Sequence, residues 1–274
     1  MNYSKELSFA KQLAAEAGDI MRQYFRSDNI GTTFKGDNSP LTLADTTINN
    51  LVVNRVKQQF PDNAVLGEEE SHDISSDMLW VCDPIDGTFP YSHGMPVSTF
   101  NLALANKGQV VLSVVNDPFC ERLFHAVRGQ GAFLNDNKLP NINERAMQGW
   151  LPMSAEVWGD PTSSVFSDIS IQSQVWGALD KGDIMPFYFC SVAYTAVLMA
   201  AGDVAGVVFS GKFPWDLAAV SLIIEEVGGV VTDIDGAPIS SFAQNINGGV
   251  LGTKDTHKLI FERCGEVFQK ASRS

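Results

Sequence analysis

The sequence predicts a layered α/β fold in two halves that join near residues 136–150. Three observations carry this. Two amphipathic helical runs open the chain, closely spaced apolar runs fill residues 64–127, and helix-strand alternation returns after Cys190. Helical stripes and flat apolar runs in one chain bury their faces by stacking as separate layers. With 274 residues, 45% of them hydrophobic, the chain makes one large domain or two intimate halves. It buries enough surface to fold without a disulfide or metal staple.

Residues 3–25 form the first predicted helix, with Leu7, Ala10, Leu13, Ala14, Ala17, Ile20, Met21 and Tyr24 at helical spacing. A polar loop from Ser27 to Pro40 includes Gly31, Gly36, Asp37 and Asn38. The second helix runs from Leu43 to Gln59 on a stripe of Ile48, Leu51, Val52 and Val56, and Thr42 with Asp45 has capping-box spacing. Strands are predicted at Ala64–Leu66, Leu79–Cys82, Ser98–Asn106, Val110–Val115 and Arg122–Val127. Short connections between the later runs favour antiparallel pairing. Residues 136–185 read as polar and irregular. Then come a helix from Cys190 to about Ala201, a strand at Val204–Phe209, a helix at Asp216–Val227 and a strand at Val230–Thr232.

The charge balance limits the function classes. With 19 Lys and Arg against 32 Asp and Glu, the formal net charge is -13. Nucleic-acid binding rests on clustered cations and no basic run is present, so no nucleic-acid partner is expected. An acidic chain gains nothing from an anionic membrane surface, and no run of about 20 residues is uniformly apolar, so no membrane partner is expected either. Cys82, Cys120, Cys190 and Cys264 form no CxxC pair, and the N-terminal run lacks a signal-peptide pattern. The expectation is a cytoplasmic protein.

Four acidic positions sit where elements end. Glu68, Glu69 and Glu70 follow one strand, Asp83 and Asp86 follow another, and Asp216 opens a helix. In Asp83-Pro84-Ile85-Asp86-Gly87-Thr88 two carboxylates three residues apart converge in a tight turn, with the Ile85 carbonyl between them. Oxygen ligands without His or Cys suit Mg²⁺, Mn²⁺ or Ca²⁺ rather than zinc. A calcium EF-hand fails on spacing, since Gly236 at its sixth position puts Val231 first and Phe242 twelfth, while Gly87 there puts Cys82 first. The Gly87 and Thr88 amides suit a phosphate if a helix starts there. Taken singly, each feature has a plain reading: a solvated acidic turn at Glu68–Glu70, a surface turn at Asp83–Thr88, helix caps at Asp45 and Asp216. Their combination, each at an element end, points to a metal site.

The segments Gly67-Glu68-Glu69, Asp83-Pro84-Ile85-Asp86-Gly87-Thr88 and Trp215-Asp216-Leu217-Ala218-Ala219 resemble the signatures of the inositol monophosphatase family. That family belongs to the Mg²⁺-dependent, lithium-sensitive phosphatases that also include fructose bisphosphatases. The resemblance runs to about Gly236 and includes Ser39-Pro40, His93 with Pro96, and Gly129–Asn135. It implies an αβαβα sandwich of the inositol monophosphatase and fructose bisphosphatase type, as a single domain over 1–274. About 1–140 would be the metal-binding half, and about 141–274 the half supplying Asp216. It implies two or three Mg²⁺ ions, with Mn²⁺ as a substitute, on Glu68, Asp83, the Ile85 carbonyl, Asp86 and Asp216. Thr88, oriented by Asp45, and Glu68 would position a water for in-line attack. Asp86, Gly87, Thr88 and Asp216 would contact a small phosphorylated metabolite. A homodimer is implied as well.

The substrate-reading positions depart from the family. Its usual acidic residue seven places before the last metal-binding Asp is Phe209 here. The Arg-x-x-Gly-Ser/Thr-x-Ala segment becomes Phe187-Tyr188-Phe189-Cys190-Ser191-Val192-Ala193, and Pro90-Tyr91 replaces the Asn-Phe expected after Thr88. Either the pocket is more aromatic than a polyol site, or Phe187 and Phe209 are core residues and other groups read the substrate. Lys212 reads either as a contact for a second anion or as a solvated lysine. Inositol 1-phosphate, histidinol phosphate, adenosine 3′,5′-bisphosphate, fructose 1,6-bisphosphate and NADP all stay open as substrates. So does a catalytically silent binding relative.

Overall fold

The computed structural model describes residues 3–36, 39–73, 75–145, 149 and 151–272. Asp37 and Asn38 of the polar loop, and part of the expected junction near 136–150, lie outside the described residues. Helix α1 (Ser4–Tyr24) and helix α2 (Leu43–Gln59) match the predicted stripes, and both halves of the Thr42–Asp45 capping box are present. Between the helices lies a small hairpin of β1 (Thr33–Phe34) and β2 (Pro40–Leu41).

The first large sheet takes β3 (Ala64–Gly67), β4 (Met78–Asp86), β5 (Thr99–Asn106), β6 (Gln109–Asp117), β7 (Arg122–Val127), β8 (Gly131–Leu134) and β9 (Asn137–Lys138) in sequence order. A short helix α3 (Thr88–Ser92) interrupts the chain after β4. From β4 onward every pairing is antiparallel, as the short connections require, while β3 runs parallel to β4. Along β5, Phe100, Leu102 and Leu104 pack towards α1 and α2, and Ala103 and Ala105 pack to the opposite face. The strand is covered on both sides, so it reads as a continuous apolar run.

The second sheet has the order β11-β10-β12-β14-β13. Its members are β10 (Leu151–Glu156), β11 (Ile184–Phe187), β12 (Gly206–Phe209), β13 (Val230–Thr232) and β14 (Gly249–Gly252). Helices α4 (Ile171–Leu179) and α7 (Lys254–Ala271) cover its outer face around Phe166, Ile260 and Phe268. Helices α5 (Val192–Ala201) and α6 (Pro214–Glu226) lie between the sheets, where Val197, Leu217, Val220 and Ile224 join Val81, Ala103 and Phe124 in one core. The layers are therefore α1/α2, sheet, α5/α6, sheet, α4/α7. This is the αβαβα sandwich.

Residues 136–185 correct the sequence reading, because they carry order. They hold β9, β10, α4 and β11, and β10 pairs in parallel with both β11 and β12. The strand signal was masked because β10 carries Pro152, Ser154 and Glu156, and the last two are buried polar residues satisfied by tertiary contacts. Beyond Gly236, β14 and α7 complete the second half.

Candidate active site

The site grows from the end of β4, which runs on through Asp86, so Asp83–Asp86 form the bulged end of the strand and not the separate tight turn expected after Cys82. Pro84 has no N–H for the neighbouring strand, and the β4–β5 register shifts between Asp83 and Asp86. Gly87 follows at φ +84, a left-handed conformation that a side chain resists. A Cβ there would stand 2.9 Å from Ser191 Cβ and 3.1 Å from the Val97 carbonyl. Two layers therefore close on Gly87, and α3 starts directly after it.

Asp216 reaches the same place on the first turn of α6, which begins at Pro214, two residues earlier than its sequence expectation. One oxygen from each of Asp83, Asp86 and Asp216 lies within 4.8 Å of the others. The Oδ1 of Asp83 is buried and has no hydrogen-bond partner. Asp86 Oδ2 accepts hydrogen bonds from Ser191 Oγ and from the Ala193 N–H at 2.9 Å, at the N-terminus of α5. Glu68 lines the same cleft, where Lys35 Nζ donates to Glu68 at 2.7 Å and to Glu69 at 2.6 Å.

Asp45 is fully buried and uses its two oxygens separately. Oδ2 accepts from the Thr42 N–H at 2.8 Å and from Thr42 Oγ1 at 2.5 Å. Oδ1 lies 3.2 Å from Thr88 Oγ1, which is also 2.9 Å from the Ile85 carbonyl. The side chain that starts α2 thus also orients Thr88.

Crowded carboxylates in a buried site hold protons more tightly. Burial pushes Asp83 well above the usual carboxylate range, and the charges of Glu68, Asp86 and Asp216 push it further. Burial also raises Asp216, reinforced by Asp86 and Glu68. Asp86 is raised to about 7 by burial, against the opposing effect of its bonds to Ser191 and Ala193. Asp45 is likewise raised to about 7, chiefly by burial, with its Thr42 bonds opposing. Burial works against the charge on Lys35, yet Glu68 and Glu69 outweigh it and hold the ammonium above the usual lysine range.

Asp45, Glu68, Asp83, Ile85, Asp86, Gly87, Thr88 and Asp216 therefore meet in one neighbourhood. His93 does not join them: it is exposed, and its Nδ1 lies 2.8 Å from the Phe89 carbonyl. Lys212 Nζ donates to the Pro161 carbonyl at 2.8 Å and does not line the cleft. Sequence reading missed Lys35, Ser191 and Glu156. Lys35 is one cation in a polar loop and gave no signal. Ser191, as the N-cap of α5, was readable as a cap. Glu156 is 2% exposed beside the cleft and stands opposite Phe209 across the β10–β12 pairing.

The chain is 31% identical to a Nus factor SuhB of Pasteurella multocida, covering 84% of this chain and 85% of that protein. It is 32% identical to a histidinol-phosphatase of Chlorobaculum parvum, covering 84% and 86%. Among solved structures, the extragenic suppressor protein suhB from Bartonella henselae superposes with a TM-score of 0.83 at 24% identity, over 97% of this chain and 99% of that one. The sequence profile of the inositol monophosphatase family matches residues 2–268, and the chain belongs to that family of phosphatases.

Proposed function

We propose that the protein hydrolyses a small phosphomonoester with the help of divalent cations, Mg²⁺ by preference. The observation that carries this reading is the trio of Asp83, Asp86 and Asp216 within 4.8 Å, with Asp83 Oδ1 buried and unpartnered. An all-oxygen, acidic, buried donor set fits a hard divalent ion. Glu68, Asp83, the Ile85 carbonyl, Asp86 and Asp216 would hold two or three such ions, with Mn²⁺ able to substitute. When bound, they neutralise phosphoryl charge and make water acidic enough to supply a nucleophile.

The remaining work falls to the chain itself. Thr88, held by Asp45 and the Ile85 carbonyl, and Glu68 position the attacking water for in-line attack. The Gly87 and Thr88 amides would donate to the phosphoryl oxygens, and Asp216 would stand near the leaving-group oxygen. Positioning and charge neutralisation are most of what phosphoryl transfer requires.

A small phosphorylated metabolite fits the name of the Chlorobaculum relative, a histidinol-phosphatase. Four free cysteines suit a reducing cytoplasm, and no helix among the described residues is long and apolar enough to cross a membrane. Lithium sensitivity and a homodimer belong to the same family-based reading. The relatives named Nus factors keep a binding role in view, but the full set of carboxylates argues against a silent protein. The test is phosphate release from a phosphomonoester panel with and without Mg²⁺, beside Asp86→Asn. Mg²⁺-dependent release that the substitution abolishes is the expected result, and no release by folded, metal-loaded protein overturns the reading.

A further inference from the structure

Strand β5 breaks its apolar run where it passes the acidic cluster. Phe100, Leu102, Ala103, Leu104 and Ala105 are buried hydrophobic residues, but Thr99 and Asn101, and Ser98 just before the strand, are polar and equally buried. A buried polar side chain costs free energy unless a partner answers it. Ser98 Oγ donates to the Gly87 carbonyl at 2.9 Å, and Thr99 Oγ1 donates to Asn101 Oδ1 at 3.0 Å. The other end of the same amide, Asn101 Nδ2, is buried and has no partner.

The pairing register shows what this donor stands against. Asn101 lies directly opposite Asp83 across the antiparallel β4–β5 pair, and Thr99 lies opposite Asp86. Directly opposed residues send their side chains to one face of the sheet, with Cβ atoms about 4.5–5.5 Å apart. Here it is the face covered by α5 and α6, since Val81 and Ala103, the next such pair along the strands, join that core. Helix α6 brings Asp216 to the same layer.

Asp83 Oδ1 is buried and unpartnered as well. An orphaned donor and an orphaned acceptor are therefore cross-strand neighbours. The adjacent carboxylate is held differently, because Asp86 Oδ2 already accepts from Ser191 Oγ and the Ala193 N–H. An ionised carboxylate accepts at about four lone-pair sites, so one that meets a cation still has room for an amide donor. Carboxylates that ligate metals are commonly oriented by such bonds.

Resting on the phosphatase reading, we infer that Asn101 is a positioning residue for that site: its amide, fixed at Oδ1 by the Thr99 hydroxyl, donates through Nδ2 to the Asp83 carboxylate and sets the direction in which Asp83 meets a divalent cation. Asn101 touches neither substrate nor cation and acts through Asp83.

The experiment is calorimetric titration of Mg²⁺ into the substrate-free protein, beside Asn101→Leu, Asn101→Val, Asn101→Thr and Ser113→Ala. Leucine keeps the volume of the amide without its donor. Valine and threonine match each other in shape, and only threonine keeps a donor. Ser113 Oγ is also buried and unpartnered, but Ser113 pairs with Ala103 and is only diagonal to Asn101. Asn101→Leu and Asn101→Val should weaken Mg²⁺ binding about tenfold, and Asn101→Thr and Ser113→Ala should stay within about threefold of the unaltered protein. The metal-free melting temperature of Asn101→Leu should hold or rise, because a buried orphaned donor is removed. In turnover the loss appears as a higher Mg²⁺ requirement, with kcat at saturating Mg²⁺ changed by no more than about twofold. Unchanged Mg²⁺ affinity in Asn101→Leu and Asn101→Val, equal weakening of the valine and threonine variants, or equal weakening by Ser113→Ala overturns the inference and leaves the phosphatase reading intact. No Mg²⁺ binding by the unaltered protein overturns both.

Discussion

The two walls of the cleft are stabilised in opposite ways. The acidic wall, lined by Glu68, Asp86 and Asp216 with Asp83 buried beside them, gathers its carboxylates against their mutual repulsion, with Asp83 Oδ1 left without a partner. The aromatic wall, formed by Trp158, Phe209, Phe213 and Trp215, packs its rings in two pairs, and the indole N–H of Trp158 donates to Ser163 Oγ. A region that is under-satisfied alone is one a ligand completes, whereas a region satisfied alone can only select. The difference separates the chemistry of the cleft from its specificity.

The largest effect is expected from Asp83→Asn. The substitution keeps the shape, removes one donor charge and relieves repulsion in the metal-free protein. Phosphatase activity should fall by about 10³-fold, while metal-free thermal stability rises and the Mg²⁺-induced rise in melting temperature shrinks. Kinetics and calorimetry on one preparation check both halves. A metal-free protein that loses stability instead would mean that the acidic wall is not strained.

Thr88→Ala comes next. Loss of the hydroxyl that Asp45 orients should lower kcat about 10²-fold with KM little changed, and Thr88→Ser should restore most of it. A pure rise in KM would place Thr88 with binding instead.

The third test is pH. Asp86 is held at about 7 against an ordinary value of 3.8, so between those values the folded protein binds more protons than the unfolded chain. Its contribution is therefore full below pH 4 and is lost as pH rises through 7. Asp45, also held at about 7, acts in the same direction. Cations bind the ionised carboxylates, so Mg²⁺ should raise the melting temperature by about 5 °C more at pH 8 than at pH 5. An equal shift at both pH values would contradict the assignment.

The smallest effect concerns the loop beside the aromatic wall. Cys190 has φ +58, where the resembled segment carries glycine. Cys190→Gly relieves that backbone and should stabilise the fold by about 0.5 kcal/mol, read by denaturant midpoint.

The acidic wall was legible in the sequence because its chemistry is local. Asp83, Pro84, Asp86 and Gly87 mark the irregular end of a strand by themselves, and Thr42 with Asp45 announces a helix start. The aromatic wall was only half legible. Phe209 stood out by substitution, but Trp158 and Glu156 lie in a stretch read as irregular, and only pairing with β11 and β12 makes β10 a strand. Lys35 reaches Glu68 and Glu69 through the fold of a hairpin, and no spacing in the sequence encodes that contact.

Asp45 ties two timescales together. The oxygen that closes the first turn of α2 and the oxygen that faces Thr88 belong to one rigid carboxylate. The threonine hydroxyl therefore takes its direction partly from the start of that helix and partly from the Ile85 carbonyl. Fraying of residues 42–45 would slow turnover while leaving every cation-binding carboxylate in its place. Enzyme activity in this chain is thus also a report on whether its second helix has started correctly.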